Sequence, residues 1–163
     1  MSEGLWKRMA EFLAQEAEAY ADLAVLGKKK QDALVRGNLS DLEAVTRAEQ
    51  VIIARAARIE EKRWKLQEEV ASMMSVPASE VKLADIISRA DDPYRGSLEK
   101  SRDAIQQSIK QIADLNETNS ELIQQSLAYV NFMLSVLSTR TGATYDTSGE
   151  MPQQPVGIVD RKA

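Results

Sequence analysis

The chain predicts an all-α fold: a long antiparallel helical hairpin and a long C-terminal helix forming a three-helix, coiled-coil-like bundle, with a short connecting helix and a flexible C-terminal tail. Three observations predict it. Ala, Leu, Glu, Gln, Lys and Arg dominate before Thr141, where Gly and Pro are scarce, and that bias favours helix. Apolar residues recur at three- and four-residue steps over three long stretches, the period of a helix face. Only a few residues around Gly37 separate the first two stretches, so they must fold back on each other. At 163 residues there is room for one domain with a real core and no need for two.

The first helix is expected from about Glu3 to Arg36, where Leu5, Met9, Phe12, Leu13, Tyr20, Leu23, Leu26 and Leu34 form one apolar face. Gly27 lies inside it, at a cost of about 1 kcal/mol relative to Ala, and a local bend is expected there. Gly37 fits the left-handed position that ends a helix. Asn38 or Ser40 can cap the next one, with Ser40 and Glu43 at capping-box spacing. The second helix, about Leu39 to Met74, repeats Leu42, Val45, Glu49, Ile52, Ala56, Ile59, Arg63, Leu66, Val70 and Met73. Glu49 and Arg63 interrupt that row and sit about four turns apart, too far to touch within one helix. Each is expected to reach solvent or to pair with another helix.

Ser75 to Lys82 contains Pro77 and reads as a loop, and Leu83 to Ala90 as a short helix. Asp92 then suits an N-cap and Pro93 a first helical position. The last helix can run to about Ser138, roughly 46 residues and close to 70 Å, longer than either hairpin arm. On it Leu98, Ile105, Ile109, Ile112, Ile123, Leu127, Val130, Leu134 and Leu137 form one stripe, interrupted by Asn116 and Asn119. From Leu115 a second face begins, made of Leu115, Leu122, Tyr129, Phe132, Met133 and Val136. It widens the apolar arc to roughly 220°, whereas packing on one neighbour needs about 100°. The second face therefore needs a partner of its own. Asn116 and Asn119 either set register at some cost in stability or meet a bound helix.

Residues 1–140 read as a helical domain and 141–163 as a tail too poor in periodic apolar residues to offset its ordering entropy. In that tail Tyr145 places one large aromatic in a polar context, an anchor of the kind docking motifs use.

Composition removes several function classes. There is no cysteine and no histidine, so disulfides, thiol and imidazole chemistry and the usual zinc ligand sets are absent. No nucleophile-base pair, Gly-rich phosphate loop or metal set is visible, and no catalytic, cofactor-binding or metal residues are assigned. Glu60-Glu61 and Glu68-Glu69 are neighbours on a helix and point apart. The net charge of -4 and the lack of a basic surface beyond Lys28-Lys29-Lys30 argue against nucleic acid. No signal peptide is visible, and the Leu122–Thr139 window is too polar to span a membrane; the expected location is the cytoplasm. Two classes remain: a chaperone or adaptor that holds a client's amphipathic helix on the second face, or a self-associating structural coiled coil.

Four runs carry a family resemblance. They are Ala19-Tyr20-Ala21-Asp22-Leu23, Ala33-Leu34-Val35-Arg36-Gly37-Asn38-Leu39, Leu115-Asn116-Glu117-Thr118-Asn119 through Gln125-Ser126-Leu127-Ala128-Tyr129-Val130-Asn131, and Thr144-Tyr145-Asp146-Thr147-Ser148-Gly149. Together, and in this order, the chain resembles the FlgN family of flagellar export chaperones. The resemblance implies a cytoplasmic type III export chaperone that binds the C-terminal helices of hook-filament junction proteins, keeps them unassembled and delivers them to the cytoplasmic domain of the export gate. It implies a client site on the last helix, here Leu115, Asn116, Asn119, Leu122, Tyr129, Phe132, Met133 and Val136. It also implies gate docking through Tyr145 and Gly149. Without client, the same face could pair two copies of the chain as a homodimer.

Overall fold

The structure, a computed structural model, describes residues 2–143. Its helices are α1 (Ser2–Arg36), α2 (Leu39–Met74), α3 (Leu83–Arg89) and α4 (Tyr94–Ala143), with a 3-10 turn at Ala78–Glu80 and no strand among the described residues. The all-α expectation holds, with bounds shifted by a few residues, and α4 continues past the Ser138 expected as its end. Residues 141–143, expected as the start of the tail, continue α4, and the rest of the expected tail, with Tyr145 and Gly149, lies outside the described residues. The chain divides into two compact units, Met1–Ser120 and Glu121–Ala163.

In the first unit, the α1–α2 hairpin closes through a Schellman turn. Gly37 is left-handed (φ 64), and the amides of Gly37 and Asn38 donate to the carbonyls of Leu34 and Ala33, satisfying helix-end acceptors. Asn38, not Ser40, is the cap of α2: its side-chain oxygen accepts from the Asp41 amide at 3.1 Å. α2 ends in the same pattern, with Ser75 at φ 57 and Val76 N–H donating to the Ala71 carbonyl. The Asp92-Pro93 peptide is cis, and α4 starts at Tyr94, one residue later than the Pro93 start expected. The Asp91 carbonyl, rather than an Asp92 cap, receives the Tyr94 and Arg95 amides.

The core gathers at the end of the hairpin away from this turn. Leu5, Trp6, Met9 and Leu13 of α1, Leu66 and Val70 of α2, Val81, Ile86 and Ile87 of the connection, and Leu98 and Ile105 of α4 form one buried cluster. Buried Gln67 ties the connection down, its amide donating to the carbonyls of Ala78 (3.0 Å) and Val81 (2.9 Å).

Further along, α4 meets α1 at Gly27. A Cβ placed there would lie 3.2 Å from Leu115 Cδ1, and the Asn119 amide donates to the Gly27 carbonyl at 3.0 Å. The missing side chain is what lets the two helices come this close. Gly27→Ala should therefore forgo the roughly 1 kcal/mol that this exchange normally gains in a helix. Gly27→Val should destabilise by about 1–3 kcal/mol through overpacking. Urea unfolding checks both, and an ordinary gain for the valine variant would contradict the close approach.

Candidate functional site

Among the described residues two places could carry function: the charged residues inside the hairpin and the apolar end of α4. The charges resolve into four cross-helix pairs: Arg8–Glu69, Glu16–Arg63, Asp22–Arg55 and Lys30–Glu49. They recur at intervals of about two turns, descending α2 as they ascend α1, and so fix the antiparallel register. Glu49 and Arg63 thus pair across to α1, as their spacing allowed. The inner pair is the most enclosed: Glu16 Oε2 accepts from Arg63 Nε at 2.8 Å, and Arg63 also donates to Gln67. Burial pushes the Glu16 carboxyl above its ordinary value, only partly offset by Arg63. Burial, helped by Glu16 and Glu60, likewise raises the Tyr20 phenol.

Nothing in this network forms a reactive constellation. Glu61 pairs with Lys65, and Glu68 accepts from the Trp64 indole. Lys28 and Lys30 of the basic run pair with Asp32 and Glu49. Among the described residues no group of carboxylates is placed to hold a metal ion, and no helix is long and apolar enough to cross a membrane. An open depression lined by Leu5, Arg8, Lys65, Glu69 and Met73 carries the Arg8–Glu69 pair in its wall and encloses little.

On α4 the structure redistributes the expected faces. The seam toward the core and α1 runs Leu98, Ser101, Ile105, Ser108, Ile112, Leu115 and Asn119, all buried or half-buried. Leu115 and Asn119, expected on the client face, therefore belong to this intrachain seam, because Gly27 leaves room for Leu115 and its carbonyl accepts the Asn119 amide. Asn119 is buried with its Oδ1 unpartnered, an arrangement that costs stability and specifies register. Asn116 is exposed, and Ile109, read as part of the first stripe, stands in solvent.

The second unit is described by its own helix. Leu122 is half-buried, and every residue from Ile123 to Arg140 is exposed. Nine large hydrophobics lie exposed between Ile123 and Leu137. Tyr129 (64%), Phe132 (62%), Met133 (38%) and Val136 (36%) are among them. So too are Ile123, Leu127, Val130 and Leu134, which by their spacing belong to the first stripe. Sequence reasoning missed this second exposed row because a stripe states only that a face is apolar, not whether it is covered. Few monomeric proteins leave contiguous apolar surface of this extent exposed to water.

Compared with protein families, the chain matches the one described as FlgN protein over residues 1–153. The same comparison with curated proteins and with solved structures gave no match.

The enclosed Glu16 gives a pH signature. Its folded value lies above the ordinary 4.5, so the fold favours the protonated carboxyl. That contribution is fully present below the unfolded value and is lost as pH rises through the folded one. The stability of the natural chain relative to Glu16→Gln, measured by urea unfolding, should accordingly fall as pH rises from 4.5 toward neutrality. A difference that rises with pH would mean that Arg63 outweighs burial.

Proposed function

The chain belongs to the FlgN family of flagellar export chaperones, which are chaperones and not enzymes, and on that premise we propose that the apolar end of α4 holds the C-terminal helices of hook-filament junction proteins. The observation that carries this reading is the run of nine exposed large hydrophobics in a stretch with no charged side chain between Glu121 and Arg140. A helix does not keep such a surface in water without a use for it. An amphipathic client helix laid along it buries its own assembly surface in the same act, which keeps the client unassembled in the cytoplasm until export.

Tyr129, Phe132, Met133 and Val136 supply the anchors, with Leu122 at their edge and exposed Asn116 as a polar contact. Leu115 and Asn119 leave the client set because they are engaged with Gly27. Their part is to hold α4 in register. Tyr145 and Gly149 dock the loaded chaperone on the cytoplasmic domain of the export gate, a role supported by the family's pattern of an aromatic just after the last helix.

Burying one large apolar side chain is worth about 1.5–3 kcal/mol before ordering costs. The double variant Phe132→Ala, Val136→Ala should thus weaken calorimetric affinity for the junction-protein C-terminal segment by about tenfold or more. Unchanged helix content by circular dichroism excludes unfolding as the cause, and unchanged affinity would remove these residues from the site. Tyr145→Ala should leave that affinity intact and reduce client export in a motility or secretion assay. Loss of client binding in this variant would refute the division of labour between helix and tail.

A further inference from the structure

Two rows of apolar side chains share the end of α4, offset by one residue. Leu122, Tyr129, Met133 and Val136 form one row, Ile123, Leu127, Val130 and Leu134 the other. An offset of one residue is about 100° around a helix, so the rows face directions roughly at right angles. One neighbouring helix covers a stripe of about 100° and would leave the second row in water. Both rows stand exposed, with Tyr129 at 64% in one and Leu127 at 59% in the other. Neither contains a charge, so a matching surface is apolar and uncharged, and a strongly charged one would gain no ion pair.

We propose that two helices of the client clasp this segment, one on each row, as two adjacent neighbours surround a helix in a four-helix bundle. The inference rests on the client-holding reading above and fixes how many helices the client must contribute. A second copy of the chain is the weaker occupant. A two-fold pair of α4 segments lays each on one row of the other, and the remaining row of both copies stays wet.

The absence of cysteine makes a clean test available. Leu127→Cys reports on one row and Tyr129→Cys on the other, each in the full chain, with iodoacetamide labelling followed alone and with a saturating C-terminal helical segment of a hook-filament junction protein. Both thiols should react freely in the chain alone and about tenfold or more slowly in the complex. Protection of one thiol only overturns the two-helix clasp and leaves the client-holding reading standing. If the segment binds and protects neither, both readings fall, as they do if it does not bind the unsubstituted chain. Protection of both without client, in a chain that sediments as a dimer, assigns the rows to a second copy and overturns the clasp. Leu134→Cys and Met133→Cys repeat the comparison should either first variant lose helix content.

Discussion

The close contact at Gly27 is the constraint on which the first unit depends. The hairpin's core lies at one end, where Leu98 and Ile105 join it, and apolar burial alone would leave the rest of α4 free to slide. Asn119 removes that freedom. Its amide donates to the Gly27 carbonyl, beside a position where a side chain would crowd Leu115. The unpartnered Asn119 Oδ1 shows the cost of such specificity: a buried polar atom is tolerated to favour one register over its neighbours.

The hairpin solves the same problem with charge. Four ion pairs, spaced about two turns apart, penalise any slip of α1 along α2, since a slip sets like charges closer and strands the enclosed Glu16 and Arg63 without partners. The two exposed pairs, Arg8–Glu69 and Asp22–Arg55, contribute little stability by themselves. The enclosed ones matter more for alignment than for net energy, as the raised Glu16 value indicates: burial disfavours its charge even beside Arg63. The result is a hairpin whose register is fixed by contacts that α4 does not share.

From Ile123 to Leu137 α4 has the composition of a core segment and the exposure of a surface one. Under the client-holding proposal that combination has a direct physical use. The hydrophobic effect is non-directional, so an uncharged surface of Leu, Ile, Val, Met and aromatic side chains can hold helices of varied sequence. The aromatic rings at Tyr129 and Phe132 add large contact area.

Much of this could be read from the residues in order. Step patterns, Gly37 and Asn38 gave helix number, helix bounds and the hairpin, because periodicity and turn chemistry are local. Charge depletion after Glu121 located the apolar surplus. Other features depended on neighbours distant in sequence. Gly27 reads as a weak spot in a helix until Leu115 is seen against it, and Asn119 reads equally as client contact or register device until its amide is found on the Gly27 carbonyl. Ile123, Leu127, Val130 and Leu134 repeat the spacing of a buried stripe, yet spacing states only that a face is apolar. The sequence by itself determined which surfaces seek cover; the tertiary structure decided which of them are covered within the chain, because that depends on where a neighbouring helix can physically approach.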